Sequence, residues 1–330
     1  MRWTPLCCCA LVLLVTAVVA QDQETKLTKG DWRDDQVPKG WARKVIGKYE
    51  FQSNAPWESV EVVAKHMNAM LERYKKLYPP VKQEGKAYVV KIFKNRAEFL
   101  KYGAPPNAGG YFSKTDQEMV GFDTGKVGGV STKASTTGTT PVSLRERLAA
   151  RFSMDLLGVF AHEGWHQYFH KHCGSGVPFP SWCDEGIGEY FYGSRVEGGQ
   201  MKVGRVNDYR LGTIRSAIKR SKTIPLKDIV GWDQQKYYAV AGLAYAEGWS
   251  LVHFLMEHPQ WKQKKLLQKY MTNFVEQHSI EEAVQAAFKG WKDEHWAAME
   301  KDWKEFTLTL KYGDAEAEIL AAELDTEEGK

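Results

Sequence analysis

From residue 143 to about residue 310 apolar residues recur at helical spacing almost without a break, while strand-like alternation is confined to residues 86–94 and 109–124. Any sheet must therefore be small and built early, and the second half of the chain must be helical. The class this predicts is α+β: a small mixed sheet with helices, followed by a mostly helical C-terminal half. Helices are expected over 143–172, 181–193, 207–220, 237–257, 260–276 and 279 to about 310. Ahead of them, "PWESVEVVAKHMNAMLERYKKLY" (56–78) has helical spacing and stops at Pro79-Pro80. "KAYVVKIFK" (86–94) reads as a strand, "RAEFLKYG" as a short helix, and residues 109–124 as a hairpin. Residues 125–141 are rich in glycine, serine and threonine, a loop that is either functional or disordered. Residues 21–55, polar and broken by glycine and proline, read as an extended lead-in. The divisions that follow are 56–142 for the α/β part, 143–258 and 259–312 for two helical parts, and 313–330 for a tail with seven acids and one lysine.

The two ends bear on compartment. "MRWTPLCCCALVLLVTAVVAQDQ" carries one charge, Arg2, and then an apolar run ending in small residues, so residues 1–20 read as a cleaved signal peptide with the mature chain starting near Gln21. The run is short for a spanning helix. The expectation is a secreted, periplasmic or otherwise extracytoplasmic protein whose mature chain is not stably inserted in a membrane. Without the signal, 44 basic residues face 41 acidic ones, a net +3 that leaves no nucleic-acid footprint. Two cysteines remain, Cys173 and Cys183. In an oxidising compartment the pair reads as one disulfide, with two buried thiols as the alternative. Most of the twelve tryptophans read as core, with some available to line a cleft.

Chemistry concentrates in "FAHEGWHQYFHKH" (160–172), where His162-Glu163-Gly164-Trp165-His166 forms an H-E-x-x-H. On a helix the two histidines share a face and can point at one cation, while Glu163 can reach a water without ligating the metal. A third ligand is needed, and two residues stand at suitable spacings. His172 lies where the metzincin pattern has its third histidine, but Phe169 occupies the position of the helix-ending glycine. Glu185, in "PSWCDEGIGEYF", follows His166 by eighteen intervening residues.

At Glu185 the chain resembles the gluzincins, the thermolysin and aminopeptidase N group, with Trp182, Glu185, Gly186 and Gly188 in their W-x-x-E-G-x-A pattern. Gly188 stands where alanine is usual and Cys183 where leucine is usual. The chain is most similar to secreted peptidase MA-like domains of unknown function, which share "HE..HQ", "P.W..EG..EY" and a later "YA..W.LV.FL", the last present here from Tyr245 to Leu255. The resemblance spans about residues 85–258.

It implies a zincin-like fold and Zn²⁺ held by His162, His166 and Glu185, with a fourth position for water. Glu163 is then the general base on that water, hydrolysing the bond of a peptide or protein substrate. Tyr245 is the expected oxyanion donor, with Tyr238 second. Glu189, one turn after Glu185, is expected to fix a ligand imidazole's tautomer. "GGYF" (109–112), with Gly110 and Tyr111, is expected to be an edge strand that pairs with extended substrate. His170 and His172 read as charge at a helix C-terminus. A catalytically silent module of the same fold, binding a peptide or cell-envelope partner, is the alternative function.

Overall fold

The computed structural model describes residues 27–82, 85–127, 130–131, 155–174 and 178–313. Residues 1–26, read above as a signal peptide and the start of the mature chain, most of the glycine-rich loop, residues 143–154 and the acidic tail after Gly313 lie outside the described residues. Five strands, β1 (Ala42–Ile46), β2 (Tyr49–Ser53), β3 (Tyr88–Phe93), β4 (Gly110–Ser113) and β5 (Glu118–Phe122), form a mixed sheet in the order β1-β2-β3-β5-β4. β2, β3 and β5 run parallel, and the two edge strands, β1 and β4, run antiparallel to their neighbours.

The first two strands correct the sequence reading of residues 21–55 as a lead-in. β2 is buried along its whole length although it contains Glu50 and Gln52. Arg43 pairs with Glu50 at 2.8 Å, and Gln52 donates to the Gly30 carbonyl at 3.0 Å. Polar residues satisfied by tertiary partners hid a buried strand from a hydrophobicity pattern. Gly47, at φ 62°, makes the turn between β1 and β2.

Three helices position the site. α1 (Trp57–Leu77) ends just before Pro79-Pro80, as a helix must when no backbone donor follows. After α2 (Arg96–Lys101), α3 (Leu156–His172) starts at Asp155, whose side chain accepts the Leu157 N–H at 3.3 Å. α3 is buried on nearly every side and packs between α1 and the sheet, its Ala161 carbonyl accepting a 2.7 Å hydrogen bond from the Tyr74 hydroxyl. α4 (Ser181–Tyr192) packs against α3.

Apart from two small antiparallel pairs, Lys126–Val127 with Val130–Ser131 and Arg195–Glu197 with Gln200–Lys202, the remaining described elements are helical: α5 (Asp208–Lys219), α6 (Leu226–Ile229), α7 (Gln234–Ala239), α8 (Ala241–Glu257), α9 (Pro259–Gln263), α10 (Leu266–Gln277), α11 (Ile280–Ala287) and α12 (Asp293–Thr309). Three of the expected long helices are therefore each broken in two. The breaks fall at Val240, at Lys265 in a left-handed conformation, and at Gly290, with φ 76°. No helix among the described residues is long and apolar enough to cross a membrane.

Candidate active site

α3 presents His162 and His166 one turn apart, with ring centroids 4.8 Å apart. α4 supplies the third donor because it meets α8 through two glycines. A Cβ on Gly186 would lie 2.6 Å from the Gly248 carbonyl, so only glycine permits that approach. Gly188 matters in the same way toward α3. A Cβ there would come within 2.8–2.9 Å of three ring atoms of His162, which explains glycine at a position where the resembling proteins have alanine.

His162 Nε2, His166 Nε2 and Glu185 Oε2 converge. The nitrogens are 3.0 Å apart, and the oxygen lies 3.1 Å from His162 and 3.4 Å from His166. Bonds of about 2.0–2.1 Å at tetrahedral angles put neighbouring ligand atoms roughly 3.3 Å apart, so the spacing fits zinc. Among the described residues this is the one group of three or more histidine, cysteine and acidic side chains arranged to hold a metal ion.

The atoms behind the donors agree. Asp184 Oδ1 lies 2.9 Å from His166 Nδ1, and Glu189 Oε1 lies 3.8 Å from His162 Nδ1. Asp184 is within hydrogen-bond range, and an ionised carboxylate can only accept, so the His166 Nδ1 proton belongs on its side and the Nε2 lone pair faces inward, whereas Glu189 acts on His162 only as a nearby charge. Lone pairs and a carboxylate oxygen aimed at one point repel one another unless a cation lies among them or the imidazoles take up protons. Burial opposes ionisation of Asp184 and Glu185, but the histidines beside them outweigh it and hold both carboxyls well below the usual range. Burial likewise opposes the imidazolium at His166, and Asp184 and Glu185 overcome it and raise its pKa.

Glu163 is half-buried and stands apart from the converging donors. Burial pushes its pKa up, the two histidines pull it down less strongly, and the Phe112 backbone hydrogen-bonds its carboxylate. That backbone belongs to β4, the edge strand expected from "GGYF". A Cβ on Gly110 would fall 2.7 Å from Val159 and 3.7 Å from the Glu163 side chain, so glycine lets the strand pass beside the acid.

A cleft of about 1060 Å³ contains all these groups, with Gly110, Tyr111, Tyr238 and Tyr245 on its walls. Tyr245 lies within electrostatic reach of Glu185 and Glu163, and burial raises its pKa. Its hydroxyl has no hydrogen bond to a described residue. Tyr238 does: its hydroxyl donates to Glu185 Oε1 at 2.5 Å. No described tryptophan lines the cleft; tyrosines do.

Two sequence readings are corrected, and the weaker candidate for third ligand is set aside. The cysteines form no disulfide; both are free and buried. Cys173 ends α3 with its thiol toward the Pro79 carbonyl, whereas Cys183 lies inside α4 near Tyr270. Both lie in the apolar core, and burial raises both pKa values, that of Cys173 to about 11. His172 is no third ligand, because α3 runs on through Phe169. Its ring is buried against Tyr88 and Tyr168, with Nε2 2.5 Å from the Tyr88 hydroxyl. His170 is not a bystander: it stacks on Phe112 and lies 3.6 Å from Asp184.

Asp184, Asn207 and Arg210 were missed. Glu189 is gripped by Asn207 and Arg210, each at 2.6 Å. Nothing local in the sequence marks residues on α5 and its cap as partners of α4. Asp184, next to Glu185, was visible but overlooked.

A model of a protein family of unknown function (DUF1570) matches residues 157–281. That span runs from α3 into α11 and holds every residue of the converging cluster, Tyr238 and Tyr245, but not the sheet. No curated protein matches the chain.

Proposed function

We propose that this protein is a zinc-dependent hydrolase of peptide bonds. The observation that carries the reading is the convergence of His162, His166 and Glu185 with Glu163 beside them, in a cleft bordered by an edge strand. Zinc held there would supply Lewis acidity, activating a water and polarising the substrate carbonyl. The chain's own groups do the rest. Tyr111 and its neighbours on β4 offer backbone donors and acceptors to an extended peptide. Glu163, its basicity raised by burial, takes a proton as water adds to the carbonyl carbon. It then returns that proton to the amine nitrogen as the carbon–nitrogen bond breaks. Tyr245 donates its hydroxyl to the oxygen that becomes negative. Asp184 holds the His166 imidazole in one tautomer, and Asn207 and Arg210 hold Glu189 beside His162.

The test is Glu163→Gln, assayed with a peptide library and by metal analysis. Hydrolysis is expected to fall by about 10²- to 10⁴-fold with one zinc per chain retained. Undiminished turnover excludes Glu163 as base. A metal-replete wild type that cleaves nothing supports the non-catalytic binding module instead.

A further inference from the structure

We infer that Tyr238 is a positioning residue that restricts Glu185 to one ligand oxygen, an inference that rests on the metal reading above. The two oxygens of Glu185 face different partners. Oε2 faces the imidazoles at 3.1 and 3.4 Å, while Oε1 accepts the Tyr238 hydroxyl at 2.5 Å. A hydroxyl on a carboxylate at this distance is a charge-assisted bond, among the stronger a side chain makes.

The surroundings hold Tyr238 in place. Its neighbour Tyr237 is fully buried and donates to the Ala244 carbonyl at 2.8 Å, tying α7 to α8. A Cβ on Gly248 would lie 2.6 Å from the Tyr237 hydroxyl, so that anchor sits in a space only glycine leaves open. Asp233 caps α7 by accepting the Lys236 N–H at 2.8 Å, and the Gln234 side chain hydrogen-bonds the Tyr238 phenol.

A carboxylate can bind a metal through one oxygen or both. With Oε1 engaged by Tyr238, Glu185 offers one donor and the protein offers three in all, leaving a four-coordinate metal one position for water or substrate. Without the hydroxyl, Oε1 is free to turn to the metal as a second carboxylate donor beside the water, which would raise the coordination number to five. Tyr238 and Tyr245 thus divide the work: one proton is committed to Glu185, and the other hydroxyl is open to the cleft.

Cobalt(II) titration of the metal-free chain, followed by visible absorption, tests this, because four-coordinate cobalt absorbs far more strongly than five-coordinate cobalt. The wild type and Tyr245→Phe are expected to give the strong band at one cobalt per chain. Tyr238→Phe, which keeps the ring, is expected to give a weak band and about 10- to 100-fold weaker cobalt affinity. A wild-type band and affinity in Tyr238→Phe overturn the inference, as do a weak band in the wild type or equal losses in both variants. A folded wild type that takes up no cobalt overturns the metal reading itself, so the two failures are distinguishable.

Discussion

Two buried polar clusters differ in how their charges are answered. On the sheet face turned away from α3, Lys91 and Glu118 are both wholly buried and pair at 2.7 Å. Every group there meets its complement: Lys91 also donates to the Thr28 carbonyl and the Tyr102 hydroxyl, and Glu118 accepts from Tyr102 and the Gly30 N–H. Between α3 and α4, by contrast, three acceptors point at one another and their complements stand behind them. Burial of charge is common to both. Only the second arrangement is suited to take something from outside the chain, and that convergence, rather than burial, marks it as the candidate binding site.

The comparison breaks first, and most visibly, under single alanine replacements. His162→Ala or His166→Ala is expected to abolish tight zinc binding while leaving a folded chain; full zinc occupancy in either, by metal analysis, would remove the cluster from consideration. Lys91→Ala is expected to do the reverse. It leaves buried Glu118 with only the more distant Lys29, at 3.9 Å, for a cation, so urea denaturation should show about 3 kcal/mol lost, with zinc stoichiometry unchanged.

A third buried acid sharpens the contrast through pH. Glu247, on α8, accepts the Ile224 N–H at 3.0 Å, faces Glu300 and Lys304 of α12, and is pushed up by burial to about 8. A carboxyl whose folded pKa exceeds its unfolded value near 4.5 binds its proton more tightly when folded. Its stabilising contribution is therefore complete below pH 4.5 and is lost as pH rises through 8. Stability should fall across that window by up to about 1 kcal/mol per pH unit. Glu247→Gln should flatten the slope measured by denaturation at several pH values; an unchanged slope would mean that Glu247 is ionised throughout.

The smallest effect concerns a single methyl group. Gly188→Ala must displace the His162 ring, and zinc affinity is expected to drop about tenfold, within the range for groups that orient a ligand. Equal affinity would show that the ring can give way freely. No comparable loss is expected at Gly242, where a Cβ meets nothing within 4 Å.

Much of the cluster was legible because its information is local. Helical period alone places His162 and His166 on one face and Glu163 beside them, and Glu185 could be singled out by its spacing and motif. The hairpin of β4 and β5 was legible through alternation. β1 and β2 were not, because Glu50 and Gln52 look like surface residues until Arg43 and the Gly30 carbonyl are seen against them. The cysteines misled for a related reason: nearness in sequence says nothing about which neighbours each thiol meets in the core.

By itself, then, the sequence determined the α+β class, the helical half and the pairing of His162 with His166 beside Glu163, since periodicity is a property of a single element, while Glu185, on another helix, came from the gluzincin resemblance. Only the tertiary structure decided how those donors are held. Asp184 behind His166, Arg210 and Asn207 on Glu189, Tyr238 on Glu185 and Gly188 beneath His162 each join different helices or the cap between them. Such pairings depend on packing between elements far apart along the chain, and no local pattern of residues encodes them.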